Sequence, residues 1–144
     1  MEIITLLVAE TNRYYHDHLD RLDQGPFPQP DVTEAEMHVF LAITISMGHC
    51  IRDELTDYWS RADNFHKNFY GNAMPRDRYL LIICFLHFTD NKKVPDMKDE
   101  NSDRLWKTRN LFDILNDKIS KFYNPSKHLA VDKVLAEFKG RVIF

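Results

Sequence analysis

Pro75-Arg76-Asp77-Arg78-Tyr79-Leu80-Leu81-Ile82-Ile83-Cys84-Phe85-Leu86-His87-Phe88 is the stretch on which the fold turns. Proline is tolerated at a first helical position, because that position's amide has no intrahelical partner. A helix is therefore predicted to begin near Pro75. Tyr79, Ile82, Ile83 and Leu86 recur at helical spacing and form its buried stripe. Leu80, Leu81, Cys84, Phe85 and Phe88 make the segment apolar nearly all round, as in a helix enclosed by others. The chain is read as mainly α, with this helix at its centre.

Working outward, residues 89–103 are polar and charged and read as an exposed loop. A last helix is predicted from about Asp103 to Tyr123, with Leu105, Phe112, Leu115, Ile119 and Phe122 on one face. Asn124-Pro125 stops it. Upstream, Arg52 to about Tyr70 is a shorter helical piece anchored by Leu55, Tyr58, Trp59, Phe65 and Phe69, and Gly71-Asn72 is read as its breaker. Thr33 and Glu36 have the spacing of a capping box, so a helix is predicted from there, with Met37, Phe40, Leu41, Thr44, Ile45 and Gly48 on one face. Gly48 is read as a place where another segment approaches closely. A first helix places Ile4, Leu7, Val8, Thr11, Tyr15, His18 and Leu22 on one face and ends at Gln24-Gly25-Pro26. Residues 24–31 hold three prolines and form an extended connector.

The pattern changes after Pro125. His128 to Leu135 is short, apolar and β-branched at its centre, Lys139-Gly140 suits a turn, and Arg141 to Phe144 suits a return strand. The expected fold is therefore a helical domain with a short C-terminal β-strand or hairpin, cut within a second structural unit. No internal repeat or low-complexity tract interrupts it.

Composition narrows the function classes. The 144 residues are 44% hydrophobic and include ten Phe, six Tyr and two Trp, which suits one packed domain and excludes a disordered tail. The formal charge of −3 excludes a uniformly basic nucleic-acid binder. It hides an asymmetry: residues 1–91 hold 7 basic and 14 acidic side chains, and residues 92–144 hold 12 basic and 8 acidic. A DNA contact is therefore sought in the final third, at Lys107, Arg109, Lys118, Lys121 and Lys127, where several cations can act together on a phosphate backbone. Arg76 and Arg78, near a helix start, are read as an ordinary solvated first turn. Cys50 and Cys84 read as buried thiols in a reducing, intracellular compartment. No Cys/His set has zinc-site spacing. The longest apolar run, Phe40 to Met47, falls short of a membrane span, and the N-terminus lacks a basic targeting region, so no membrane partner is expected.

Several strings resemble, in order and spacing, the piggyBac transposase family and its transposable element-derived relatives. They are Glu10-Thr11-Asn12-Arg13-Tyr14, Met47-Gly48, Asp57-Tyr58-Trp59-Ser60, Met74-Pro75-Arg76-Asp77-Arg78-Tyr79 and Leu86-His87-Phe88. Asp103-Arg104-Leu105-Trp106-Lys107, Leu129-Ala130-Val131-Asp132-Lys133 and Phe138-Lys139-Gly140-Arg141 follow. The resemblance implies a helical dimerisation and DNA-binding region over residues 1–123. It implies the truncated start of an RNase H-like DDE/D catalytic domain over residues 124–144. Asp132 falls on the first of three catalytic aspartates, which in the family bind divalent ions and cut and rejoin DNA at TTAA sites. The chain departs from the family at Lys133, where glutamate is usual, and at Pro75, where serine is.

Two-metal phosphoryl transfer needs ions about 3.5–4 Å apart, held by several acidic ligands. Asp132 alone does not supply them. The expectation is a transposase-derived chain, catalytically inactive alone and without a cofactor of its own, that acts in DNA binding or transposase dimerisation. Asp132 is a metal position, for Mg²⁺, only if residues outside this sequence complete it. The expected partners are duplex DNA and a second copy or a full-length transposase, with nuclear location implied by the resemblance. The alternatives are part of an active DDE/D transposase completed by missing sequence, or a decayed relic.

Overall fold

Among the described residues every regular element is a helix. The computed structural model describes residues 2–19, 29–60, 68–95 and 102–124. In order they form α1 (Glu2–Asp17), α2 (Glu34–His49), a 3-10 turn (Leu55–Trp59), α3 (Asn68–Ala73), α4 (Arg76–Phe85) and α5 (Trp106–Phe122). The mainly α architecture stands, but the C-terminal strand or hairpin in the sequence-based fold does not. No strand occurs among the described residues, and the segment read as a strand, with Lys127 and Asp132, lies outside them. A lone hairpin appended to helices has too few strands to be stable by itself, so short β-branched runs were a weak basis for it.

The core forms where α1, α2 and α4 meet. Leu7, Met37, Phe40, Ile43, Tyr79 and Ile82 are buried there, and Val32, Tyr58, Tyr70 and Met74 extend the cluster. Their positions in α1, α2 and α4 follow the helical period, which sets one face of each helix against its neighbours. Aromatic rings hold the interior. Tyr79 lies 4.9 Å from Phe40 and 5.1 Å from Trp59 between ring centroids, and Tyr58 meets Tyr70 edge-on at 5.0 Å. Each buried hydroxyl or indole has a polar partner, as burial requires. Tyr79 Oη lies 3.1 Å from Thr44 Oγ1, and Trp59 Nε1 donates to the Met74 carbonyl at 2.8 Å.

Several sequence expectations are corrected in detail. Thr33 does accept the Glu36 amide, at 3.2 Å. The Glu36 carboxylate turns instead to Arg78, whose Nε and Nη2 reach its two oxygens at 2.6 and 2.8 Å. A charge-assisted fork outcompetes a neutral amide as its partner. Gly48 has open space where a Cβ would stand, and among the described residues nothing approaches it closely. Gly71 and Asn72 lie inside α3, and the chain breaks at Pro75. The buried stripe of α4 is Tyr79, Ile82 and Phe85, while Ile83 is 44% exposed and Cys84 is exposed. Helix α4 therefore has a solvent side.

The chain entering α2 is pinned from both sides. Asn12 clamps residue 32, with Nδ2 donating to the Val32 carbonyl at 2.9 Å and Oδ1 accepting its amide at 2.8 Å. Tyr15 Oη accepts the Gln29 amide, and Arg78 Nη2 donates to the Pro30 carbonyl at 2.9 Å. Replacing Arg78 by alanine removes its donors from Glu36 and from the Pro30 and Asp31 carbonyls. Arg78→Ala is expected to lower unfolding stability by about 2 kcal/mol. Arg76→Ala, which removes only an exposed pair with Asp77, is expected to stay within about 0.5 kcal/mol. Chemical denaturation of the two variants checks this.

Candidate nucleic-acid interface

Asp103 starts α5. Its Oδ1 accepts the Leu105 amide at 2.9 Å and its carbonyl accepts the Trp106 amide at 3.1 Å, so the chain turns directly into the helix. The same carboxylate holds Arg109, with Nε to Oδ2 at 2.7 Å. Residues 102–124 contain five basic and three acidic side chains, and their distribution around the helix decides what each can reach.

At about 100° per residue, Lys107, Leu111, Ile114, Lys118 and Lys121 fall along one side of α5. Arg109 lies about 200° from Lys107, on the other side. The lysine side borders α1: Asn110 and Ile114 share a shallow pocket of about 480 Å³ with Glu2, Thr5, Leu6 and Ala9. Four sequence-nominated cations are thus described, and three of them, Lys107, Lys118 and Lys121, form one row.

Most cations of this region also have carboxylate neighbours. Lys118 Nζ lies 3.6 Å from Glu2, Lys121 Nζ lies 2.6 Å from Asp117, and Lys92 Nζ lies 2.8 Å from Asp17. Hydrogen bonds from Lys121 and Arg109 hold the Asp117 and Asp103 carboxyls below the usual carboxylate range. Lys107 Nζ sits 5.6 Å from the centroid of the Trp106 ring. The lysine heads remain about half exposed or more at Lys118 and Lys121. Exposed pairs of this kind are weak, so a lysine can exchange its carboxylate for a phosphate at little cost.

The root of α5 meets the core at His87. The His87 ring stacks on Tyr14 at 3.4 Å with a 12° interplanar angle, its Nε2 lies 3.0 Å from Asn91 Nδ2, and its main-chain amide reaches Thr11 Oγ1 at 3.4 Å. Leu86, His87, Asn91, Lys107 and Thr108 line a notch of about 290 Å³. Burial pushes the His87 imidazole below its ordinary value, and the Lys107 and Arg13 charges push it the same way. The stack was hinted at only by the presence of Tyr14 and His87 in two of the motif strings.

Arg78 does not form a solvated first turn. Its side chain is only 12% exposed, pairs directly with Glu36, and with it lines a pocket of about 750 Å³ bordered by Pro30, Asp31, Pro75 and Leu81. The histidines of the helices cap their own turns: His18, His38 and His49 each place Nδ1 on the carbonyl four residues earlier. Among the described residues, no group of three or more His, Cys, Asp or Glu is gathered to hold a metal ion. No helix among them is long and apolar enough to cross a membrane.

His87 is neutral in the fold and gains a proton more readily once unfolded, because its native pKa lies below the ordinary 6.5. Its contribution to stability is therefore complete above pH about 6.5 and declines as pH falls through that value. Thermal unfolding from pH 7.5 to 5.5 is expected to show a smaller decline for His87→Gln than for the unaltered chain.

A family model described as Transposase IS4 matches residues 1–144, the whole chain. Human PiggyBac transposable element-derived protein 2 is 27% identical over 137 residues, which is 95% of this chain and 21% of that protein. Human PiggyBac transposable element-derived protein 3 is 26% identical over 140 residues, 97% of this chain and 21% of that protein. The chain thus spans about a fifth of the length of these relatives. No solved structure matches it. With its whole length matched by that model, the chain belongs to the Transposase IS4 family.

Proposed function

We propose that this chain is a DNA-associated helical module of a transposase-derived protein, without strand-transfer activity by itself. The observation that carries the reading is the row of Lys107, Lys118 and Lys121 along one side of α5. A row of cations at helical spacing can track a phosphate backbone, and such contacts give affinity without base specificity. Family membership supports the partner, and nuclear location follows with it. The described side chains offer no ligand set for two-metal chemistry. Asp132, as the first family carboxylate, would hold Mg²⁺ only with acidic residues supplied from outside this sequence.

The exposed apolar stripe of α5 supports a second role, docking of a protein partner. Phe112, Leu115, Ile119 and Phe122 are all solvent-exposed on one side of the helix, adjoining the lysine row. A patch of that kind marks an interaction surface more often than ordinary solvated helix.

Fluorescence anisotropy with duplex DNA at low salt is expected to detect binding that weakens steeply as salt rises. Replacing Lys107, Lys118 and Lys121 together by glutamine is expected to cut affinity at least tenfold and to reduce the log–log salt slope by about 2.7. Arg109→Gln alone, on the other side of α5, is expected to change affinity less than twofold. Absence of binding at low salt overturns the DNA reading. A strand-transfer assay with Mg²⁺ is expected to show no product for the chain alone, and product that persists in Asp132→Ala rules out the assignment of Asp132.

A further inference from the structure

We infer that the pocket between the chain entering α2 and the first turn of α4 is a docking site for an extended, basic peptide segment of a partner protein. The inference is independent of the lysine row and of the apolar stripe, both of which lie on α5. The pocket encloses about 750 Å³, within the range of about 300–1,000 Å³ usual for ligand sites. Pro30, Pro75 and Leu81 give it apolar walls. Asp31, Glu36 and Asp77 give it three carboxylates against the single guanidinium of Arg78.

The three carboxylates differ in what they can bind. Glu36 is committed to Arg78, which holds both of its oxygens. Asp31 lies 2.7 Å from His16, and Asp77 lies 3.0 Å from Arg76. Both pairs are exposed, with the Asp31 side chain 57% and the Asp77 side chain 84% open, and such pairs exchange readily for another cation. With Arg78 neutralised by Glu36, the pocket presents two negative charges beside apolar walls. A lysine or arginine side chain matches that surface, because its aliphatic stem packs on proline and leucine while its charged head stays wet. An anionic ligand is repelled by the same two carboxylates. The wider surface has the same sign: residues 1–91 hold 14 acidic and 7 basic side chains, a balance that draws in cationic partners.

Arg78 adds a contact for the peptide main chain. Its Nη2 donates to the Pro30 carbonyl at 2.9 Å and to the Asp31 carbonyl at 3.4 Å, so the guanidinium already binds the backbone of the segment that enters α2. Its Nη1 is buried and has no hydrogen-bond partner among the described residues. A desolvated donor without an acceptor costs stability, and a ligand that brings the acceptor relieves that cost. Because Glu36 already neutralises the guanidinium, a neutral carbonyl suits Nη1 better than another anion. A peptide supplies that carbonyl together with cationic side chains, whereas a polyamine supplies the cations alone.

Isothermal titration of the 144-residue chain with a tetra-arginine peptide, acetylated and amidated at its ends, tests this. Saturable binding is expected with a dissociation constant on the order of 100 μM, as suits a short and partly exposed ligand. Asp31→Asn/Asp77→Asn is expected to weaken binding at least fivefold while the helical circular dichroism signal stays unchanged. Asp53→Asn/Asp113→Asn removes the same charge at exposed positions elsewhere and is expected to change binding less than twofold. Spermine, with the same four charges and no carbonyl, is expected to bind at least fivefold more weakly than the peptide. In amide NMR spectra the peptide is expected to shift residues 31–36 and 76–81 and to leave α5 unmoved. Absence of binding, equal losses in the two double variants, or shifts centred on α5 overturn the docking site. Spermine binding as tight as that of the peptide overturns a peptide as its occupant.

Discussion

Arg13 ties the first helix to the turn that follows α4, and the rest of the structure is arranged around that tie. Its Nη1 meets Asp90 at 2.9 Å and its Nη2 donates to the Thr89 carbonyl at 3.0 Å, across more than seventy residues of chain. Glu10 and Asp17 on the same helix hold the guanidinium from either side. Four acceptors around one half-buried planar cation make a network, which is less easily lost than an isolated surface pair. Thr11, Asn12 and Tyr14 extend it, to the amide of His87, to both polar groups of Val32 and to the His87 ring. Five consecutive residues of α1 therefore fix the start of α2 and the end of α4. Once those are fixed, the aromatic core has one way to close.

That arrangement explains why the motif strings identify a family without identifying a chemistry. Glu10 to Tyr14 is a joint. Trp59 anchors the carbonyl of Met74, Arg78 locks Glu36, and Tyr79 fills the centre. Each of these described residues solves a packing or hydrogen-bonding problem of the helical core. Residue identity is demanded at these points because a buried donor or a bidentate fork tolerates few replacements. A resemblance built on them is evidence for fold and ancestry. It says little about which surface touches a partner.

The helices were legible in the sequence because their apolar positions repeat at the helical period and Thr33, Pro75 and Asn124-Pro125 punctuate them. What escaped depends on distant residues. Glu36 looked like half of a capping box because only its own helix was considered, and Arg78 lies 42 residues away. Gly48 looked like a close-packing site, yet among the described residues no segment crosses there. Helix α4 looked buried all round because its composition is apolar, but composition does not count how many neighbours the fold supplies. The same limit applied to the cations. Their number along the chain was plain, whereas the separation of Arg109 from Lys107, Lys118 and Lys121 follows from helix geometry, and their carboxylate neighbours follow from the fold.

Helix α5 is the element where sequence and packing disagree most, and the disagreement has a physical reading. Its apolar stripe has the regularity of a core-facing helix, yet the core is already complete without it. An isolated 17-residue helix is marginal in water, since nucleation is costly and most helical stability in proteins comes from a packed face. The edge contact with α1, the Asp103 turn and the Lys118–Glu2 pair give α5 a position but little burial. Among the described residues nothing covers this row of exposed Phe, Leu and Ile side chains. The lysine row alone would not require that stripe, and the stripe alone would not require the lysines. Lys118 lies one turn from both Leu115 and Phe122, so the two rows adjoin along one helix.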